Sequence, residues 1–150
     1  MKKLPSYDLI IIGAGPAGLA ASIYASRYRI GHLVLGQQPG GTITLAHRVE
    51  NYPGFPSISG FELGQKFLDH AKSLGGDIEN KEVVEIKKEN NHFKIITNNN
   101  GQYQAKAIII ATGTKRKSLG IPGEDTYLGH GVSYCATCDA AFYKGKTVAV

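Results

Sequence analysis

An apolar run that leads straight into a glycine-rich turn constrains the fold of this chain more than any other feature. Asp8–Ile12 is apolar after its first residue, and Gly13-Ala14-Gly15-Pro16-Ala17-Gly18 follows directly. An uninterrupted apolar run predicts a strand that is buried on both faces, as in a parallel sheet. Pro16 suits the first position of a helix. The sequence therefore predicts a strand, a tight turn and a helix in immediate succession.

The spacing of the glycines predicts a site for the phosphates of a dinucleotide. Gly13 permits the tight turn, Gly15 lets a pyrophosphate approach the backbone, and Gly18 lets the helix pack on the strand. The helix N-terminus offers free N–H groups and a partial positive charge. The alternative is a glycine-rich turn without a ligand, but the flanking strand and helix favour the binding site.

Further elements are predicted downstream of the turn. The run His32–Leu35 completes a strand–helix–strand unit, and residues 36–60 predict a long functional loop because they are rich in glycine and proline. A helix ends at Gly75-Gly76, and Asn98–Gly101 predicts a hairpin between two strands. Three further patterns complete the prediction: the helical spacing of Ala17, Ala20, Ala21, Tyr24 and Tyr28, the helix face of Leu63, Phe67, Ala71 and Leu74, and a buried strand at Ala107–Ala111.

The chain should continue beyond its last residue. Lys146–Val150 predicts the start of another buried strand, so we expect this sequence to be part of a longer protein. The predicted fold class is α/β, with a parallel sheet, covering helices and a small antiparallel β-meander, incomplete at its C-terminal end.

Charge and hydropathy exclude two classes of partner. The net charge is +5, but the longest basic cluster is Lys115-Arg116-Lys117, which predicts a solvated loop rather than a nucleic-acid site. No long apolar stretch follows Lys2 and Lys3, so neither a signal peptide nor a membrane span is predicted. We expect a cytoplasmic protein without nucleic-acid or membrane partners.

The second chemical signal is Cys135-Ala136-Thr137-Cys138-Asp139, which contains both cysteines of the chain. In a reducing compartment this spacing favours a redox-active or metal-binding pair over a static crosslink. Zinc needs four ligands, and His130 is the one other candidate nearby, so no metal is expected. Asp139 either exchanges the proton that moves when a disulfide opens or caps a helix. Together with the glycine-rich turn, the pair indicates a flavin that exchanges electrons with a dithiol.

The ribose partner of a simple NAD site is missing. An acidic residue is expected near the end of the second strand, but the chain has Leu35-Gly36-Gln37-Gln38 there. Gln38 can accept a hydrogen bond from a ribose hydroxyl, although more weakly than a carboxylate does. This difference disfavours NAD and leaves FAD open.

Five motifs, in this order and spacing, resemble the low-molecular-weight, bacterial-type thioredoxin reductases and the related reductase component of alkyl hydroperoxide reductase. The resemblance covers nearly all of the chain. Its motifs are Gly13–Leu19, Pro39-Gly40-Gly41, Val49-Glu50-Asn51-Tyr52-Pro53-Gly54, Ala111-Thr112-Gly113 and Cys135–Asp139.

The resemblance implies a homodimeric flavoenzyme with a Rossmann-like FAD domain and an NADPH domain. Electrons would pass from NADPH to FAD, then to a Cys135–Cys138 disulfide, and then to thioredoxin or a thioredoxin-like protein. Cys138 would lie nearer the flavin, Asp139 would be the acid/base, and Val84 would contact the adenine through its backbone. The other implied FAD residues are Gly13, Gly15, Pro16, Ala17, Gly18, Gly36, Gln37, Gln38, Gly40, Gly41, Thr42, Asn51, Ala111, Thr112 and Gly113.

The resemblance also divides the chain and leaves alternatives open. Residues 1–114 would form the N-terminal part of the FAD domain, and residues 115–150 would begin the NAD(P)H domain that carries the cysteines. Thr42 stands where the family usually has glutamine. Because the family's second glycine motif and arginine-rich site are absent, NADPH, NADH and ferredoxin all remain possible donors. The alternatives are an FAD-binding module, an inactive fragment of the enzyme, and the reductase component of a peroxidase system.

Overall fold

The computed structural model describes residues 4–115 and 117–150, apart from the side chains of Thr137 and Cys138. These residues form six strands, four α-helices and two short 3₁₀ turns. The strands are β1 (Ser6–Ile12), β2 (His32–Leu35), β3 (Asp77–Glu79), β4 (Val83–Glu89), β5 (His92–Thr97) and β6 (Gln102–Ile110). The α-helices are α1 (Pro16–Arg27), α2 (Gly60–Ser73), α3 (Glu124–Tyr127) and α4 (Ala136–Asp139), and the 3₁₀ turns are Thr42–Leu45 and Ala140–Tyr143.

The strands form one mixed sheet in the order β3-β2-β1-β6-β5-β4. β1 lies parallel to both β2 and β6, and β3 continues the parallel part beyond β2. β4, β5 and β6 form an antiparallel meander. The predicted α/β fold, with a parallel sheet, helices and a small meander, is therefore confirmed.

The central strand is buried on both faces, as its apolar run predicts. Side chains alternate between the faces of a strand. Ile10 and Ile12 accordingly join a core cluster with Leu33 and Leu35, whereas Leu9 and Ile11 join a second cluster that includes Ala25 of α1. This double burial holds β1 in the middle of the sheet.

The first helix forms where predicted, and small residues make up most of its buried face. Its buried residues are Gly18, Leu19, Ser22 and Ala25, whereas Tyr24 and Tyr28 are 61% and 73% exposed. The small residues face the sheet because a helix that starts directly after β1 must pack closely on the turn before it. The tyrosines therefore mark the solvent side of α1.

The second helix is confirmed, and it ends just before the predicted glycines. The Ser59 hydroxyl accepts a hydrogen bond from the Glu62 N–H at 3.1 Å, which caps the N-terminus of α2. Gly75 follows the helix with a φ of 86°, as a glycine stop does. Leu63 and Ala71 face inward from the predicted apolar face.

Two strand predictions near the C-terminal side need correction. The last residues of β6 are in the sheet, but their side chains are not buried: Ile109 is 39% and Ile110 is 65% exposed. β6 joins the sheet through its backbone pairs with β1 and β5, and this pairing does not require burial of both faces. Among the described residues, Lys146–Val150 pairs with no strand, and Val148 is exposed.

The chain divides into two compact units, of which one ends at Gly113 and the other runs from Thr114 to Val150. The first unit contains the sheet, α1 and α2. The assignment of these units to an FAD domain and an NAD(P)H domain stays a prediction. No helix within the described part of the chain is both long and apolar enough to cross a membrane.

One buried carboxylate organises the start of the second unit. The Glu124 side chain accepts hydrogen bonds from the N–H groups of Leu119, Gly120 and Ile121 at 3.1, 2.6 and 3.3 Å. Glu124 is only 6% exposed. Because a carboxylate can accept several N–H groups at once, this single side chain fixes the backbone that leads into α3.

Candidate functional site

The candidate cofactor site lies at the carboxyl edge of the parallel strands. β1 sits between β2 and β6, and all three strands end at this edge. From β1 the chain continues to β2 on one side of it, whereas the strand on its other side is β6, so the strand order reverses at β1. In open α/β sheets, ligands bind in the crevice outside such a reversal of strand order.

Hydrogen bonds continue past the ends of these strands and form the floor of the site. The Gly13 N–H donates to the Leu35 carbonyl at 2.7 Å, and the Ala111 N–H donates to the Ile12 carbonyl at 2.7 Å. The first residues of the glycine-rich turn and of Ala111-Thr112-Gly113 are therefore held side by side.

Two glycines of the turn are required by packing alone. Gly13 has a φ of 116°, and a Cβ built on it would lie 2.1 Å from the Ala111 carbonyl oxygen. A Cβ on Gly18 would lie 1.8 Å from the Gly13 carbonyl oxygen. Contacts this short are forbidden, so these two positions exclude any side chain whether or not a ligand binds.

Gly15 is different, because packing does not require it. A Cβ at this position would have Gly41 Cα as its nearest neighbour, at an ordinary 3.6 Å. Its φ and ψ of −84° and −176° suit any residue. The position therefore has room for a methyl-sized group at the start of α1, and a pyrophosphate close to the backbone needs such room.

The first turn of α1 supplies hydrogen-bond donors beside this space. Pro16 is the first helical residue and has no N–H. The first intrahelical bond runs from the Leu19 N–H to the Gly15 carbonyl at 2.9 Å. The N–H groups of Ala17 and Gly18 thus have no partner within the helix, and the 12-residue helix adds its dipole. These donors and the gap at Gly15 fit a diphosphate.

The loop after β2 packs directly on the glycine-rich turn. The Gly40 N–H donates to the Ala14 carbonyl at 2.8 Å. A Cβ on Gly36 would lie 2.5 Å from the Ala14 nitrogen, and one on Gly41 would lie 2.7 Å from Gly15 Cα. The structure therefore brings together three separate stretches that the sequence assigned to one site.

Two predicted cofactor residues are not tied to this cluster. Val84 lies at a register irregularity in β4, between Val83 and Glu85, and its side chain is exposed. Asn51 is exposed within the short two-bridge segment around Val49 and Ile58. Their contacts with a cofactor stay predictions.

Two residues that sequence reasoning missed hold the loop after β2. The Asn80 amide, oriented to satisfy its neighbours, donates to the carbonyls of Gly36 at 3.3 Å and Gln37 at 2.7 Å. The Thr44 hydroxyl donates to the Gly41 carbonyl at 2.8 Å and accepts from Gln38 Nε2 at 3.0 Å. The one available signal was that Asn80 directly follows a strand that ends at the same edge of the sheet.

The cysteine motif lies at the start of a helix in the second unit. Cys135 is the N-cap residue of α4 and is disulfide-bonded. The Cys138 side chain lies outside the part of the chain that the structure describes, so the predicted Cys135–Cys138 pair stays a prediction. The structure describes no cluster of three or more potential metal ligands in the part of the chain that it covers.

Ser133 connects the motif to its acidic residue. The Cys135 N–H donates to Ser133 Oγ at 3.1 Å, and the Ser133 hydroxyl donates to Asp139 Oδ2 at 2.5 Å. Asp139 makes no side-chain capping hydrogen bond to the 3₁₀ turn that follows it. Asp139 occupies the N-cap position of that turn, but its carboxylate bonds to Ser133 instead, and its role as acid/base stays a prediction.

Comparison with known proteins adds a family to this geometry. The family model described as pyridine nucleotide-disulphide oxidoreductase matches residues 7–150. The thioredoxin reductase of Bacillus subtilis is 46% identical over an alignment that covers 100% of this chain and 48% of that protein. The chain thus spans about half the length of the curated relatives it matches.

Solved structures agree with this result. The crystal structure of thioredoxin reductase from Streptococcus pyogenes has a TM-score of 0.80 at 39% identity, covering 94% of this chain and 46% of that one. A ferredoxin-flavin thioredoxin reductase from Clostridium acetobutylicum has a TM-score of 0.69 at 41% identity, covering 94% and 49%. The resemblance seen in the sequence motifs is confirmed, and the chain belongs to the pyridine nucleotide-disulphide oxidoreductase family.

Proposed function

We propose that this chain is the flavin-binding and dithiol part of an FAD-dependent disulfide reductase of the thioredoxin reductase type. In the whole protein, bound FAD would supply the two electrons that reduce the Cys135–Cys138 disulfide, and the resulting dithiol would reduce thioredoxin or a similar protein. One observation carries the proposal: a single chain combines a glycine-lined strand edge with a CxxC motif at a helix start, within one family match over residues 7–150.

The described residues offer FAD a matching set of contacts. The gap at Gly15 and the N–H groups of the first turn of α1 would hold the pyrophosphate. The loop from Gly36 to Thr42, on one side of the turn, would hold the adenosine, and Ala111–Gly113 lies on the other side of the turn. When bound, FAD supplies the two-electron chemistry that amino-acid side chains other than the dithiol lack.

The dithiol passes its electrons on by thiol–disulfide exchange. A thiolate of the reduced pair attacks the substrate disulfide and releases one substrate thiolate, and the second cysteine then opens the mixed disulfide and releases the other. The substrate gains two electrons, and the Cys135–Cys138 disulfide forms again. Asp139 exchanges the proton at the cysteine pair, with its Oδ2 atom held by the Ser133 hydroxyl.

The partners follow from the relatives. We propose NADPH as the donor, thioredoxin as the acceptor, and a cytoplasmic homodimer without nucleic-acid or membrane partners as the working form. The similarity to a ferredoxin-flavin thioredoxin reductase makes reduced ferredoxin the alternative donor. Supplying NADPH or reduced ferredoxin to the whole protein, with thioredoxin as acceptor, separates these two donors.

The direct test is a titration of the purified chain with FAD, followed by quenching of flavin fluorescence. We expect saturable binding of about one FAD per chain, because the turn, the first turn of α1 and the two flanking loops that a pyrophosphate needs lie together in the first unit. Reduction with dithionite should then consume about four electrons per chain in the wild type and about two in Cys138→Ser, since the disulfide is a two-electron couple.

The same variant separates the reductase from a binding module. Cys138→Ser should bind FAD with unchanged affinity, because the substitution lies outside the first unit. Equal electron uptake by both proteins would mean that the cysteines do not cycle, and the module alternative would replace the proposal. Failure of the wild type to bind FAD would contradict the flavin site itself.

A further inference from the structure

We infer that Thr44 is the positioning residue for the adenosine side of the proposed flavin site. Its hydroxyl orients the Gln38 amide so that the amide oxygen can accept a hydrogen bond from a ribose hydroxyl, and its methyl group locks the Gly40-Gly41 loop onto α2. The inference rests on the proposed function, because it assigns a role within the same site.

The direction of the hydrogen bonds follows from their chemistry. The Thr44 hydroxyl lies 2.8 Å from the Gly41 carbonyl oxygen, which can only accept, so the hydroxyl proton is used there. The Gln38 amide, 3.0 Å away, must then donate to Thr44 Oγ1 through Nε2. The network therefore fixes the amide orientation and leaves Gln38 Oε1 as an acceptor.

The position of Gln38 identifies the group that it would accept from. Gln38 follows the end of β2 by three residues, where dinucleotide sites usually carry an acid that binds ribose hydroxyls. The neighbouring carbonyls of Gly36 and Gln37 both accept from Asn80. The Gln38 amide oxygen is thus a side-chain acceptor whose orientation is fixed at this place, and a sugar hydroxyl is a donor that suits it.

The methyl group of Thr44 makes the second connection. A Cβ on Gly40 would lie 2.7 Å from Thr44 Cγ2, and a Cβ on Gly64 of α2 would lie 2.6 Å from the same atom. Two residues without side chains thus face one methyl group from opposite elements. Since Gly41 packs on Gly15, Thr44 links α2 to the loop that borders the pyrophosphate position.

The hydrogen-bond role is tested with matched substitutions of Thr44 and with deoxy sugars. Thr44→Val keeps the size and removes the hydroxyl, Thr44→Ser keeps the hydroxyl, and Gln38→Ala removes the amide at an exposed position. The readout is the ratio of the dissociation constant of the deoxy analogue to that of ADP, measured by calorimetry with 2′-deoxy-ADP and 3′-deoxy-ADP. A mere loss of stability would not change this ratio selectively.

We expect the wild type and Thr44→Ser to prefer ADP over one deoxy analogue by about fivefold to tenfold, which is the usual worth of one hydrogen bond. Thr44→Val and Gln38→Ala should bring the ratio close to one. An unchanged ratio in both of these variants would overturn the inference while leaving FAD binding, and hence the proposed function, intact. Absence of FAD and ADP binding by the wild type would overturn both.

The packing role is tested with a compensating pair. Gly64→Ala should weaken FAD binding by about tenfold, because the new methyl group meets Thr44 Cγ2 and displaces the loop. Adding Thr44→Ser removes Cγ2 and should restore most of the affinity, whereas adding Thr44→Val should not. Equal affinities in the two double variants would overturn the packing role.

Discussion

The glycine-lined edge of the first unit and the cysteine segment of the second are held in place by different means. At the edge, backbone lies against backbone: Gly18 on Gly13, Gly13 on Ala111, and Gly41 on Gly15. In the second unit, single side chains hold the backbone, with Glu124 accepting three N–H groups and Ser133 linking Cys135 to Asp139. The proposed cofactor site is thus built from closely packed backbone, whereas the proposed redox pair lies at a four-residue helix.

From this comparison we predict that one methyl group added at the glycine-lined edge lowers the free energy of unfolding more than the other substitutions below. Gly18→Ala should lower the free energy of unfolding by about 3–5 kcal/mol, because its Cβ would overlap the Gly13 carbonyl oxygen. Urea unfolding, followed by circular dichroism, measures the effect. The Gly18→Ala substitution should also abolish FAD binding.

Gly15→Ala is the matched control for this change. It adds the same methyl group within the same turn, but its nearest neighbour, Gly41 Cα, lies at an ordinary 3.6 Å, so its free energy of unfolding should stay within about 1 kcal/mol of the wild type. Its FAD affinity should nevertheless fall by about tenfold or more, since the methyl group occupies the ligand's space. Equal stabilities of the two variants would break the distinction between packing glycines and ligand glycines.

In the second unit, loss of one polar side chain should have an intermediate, local effect. Glu124→Gln leaves one carbonyl oxygen for three N–H donors and brings an NH₂ group into a buried place, which costs about 1–3 kcal/mol. We expect faster hydrogen exchange at Leu119, Gly120 and Ile121, with no change at the core amides of Leu33 and Ile95. The exposed neighbour Asp125→Asn is the control. Unchanged exchange at the three amides would contradict the anchoring role.

Loss of the Glu79 carboxylate, at the end of the edge strand β3 in the first unit, should have the smallest effect on the free energy of unfolding. Burial raises the pKa of the Glu79 carboxyl, but hydrogen bonds from Lys81 and Tyr103 outweigh it, so the pKa lies below its usual value of 4.5. A depressed pKa stabilises the fold above the unfolded-state value, and this contribution is lost as the pH falls through the folded-state value. It should amount to less than about 1 kcal/mol, because the groups are partly exposed.

Glu79→Gln tests this expectation by urea unfolding at pH 6 and pH 3. The wild type should lose slightly more stability over this range than the variant, since only the wild type has the carboxylate to protonate. Glu82→Gln, an exposed neighbour, should behave like the wild type. If Glu79→Gln lowered the free energy of unfolding at pH 6 more than Glu124→Gln does, the comparison between the two units would be reversed.

The parts of the fold that sequence patterns predict are those set by local rules. Two predictions were correct: the buried strand before Gly13 and the helix end at Gly75-Gly76. Both features depend mainly on residues that are neighbours in the sequence. The predicted burial of the end of β6 was wrong, because the burial of a strand face depends on which other elements cover it.

The candidate site shows the same division. The spacing of its glycines predicts the glycine-rich turn. The contact of Gly41 with Gly15, however, joins residues 26 positions apart, and no local sequence pattern indicates it. Thr44 and Asn80 were missed for this reason. Threonine and asparagine are common in loops, and only the folded chain shows which carbonyl groups they contact. The role of Asp139 was left between two choices because the position of Ser133 relative to it depends on the turn between them.

The hydrogen bonds that extend past β1 have a thermodynamic consequence for ligand capture. Because the Gly13 and Ala111 N–H groups are already paired with Leu35 and Ile12, the floor of the crevice belongs to the same cooperative unit as the core. A ligand that docks there does not have to order this backbone, so its affinity is not reduced by the entropy of loop formation. The heat-capacity change of binding then reports the apolar surface that the ligand covers, without a folding contribution.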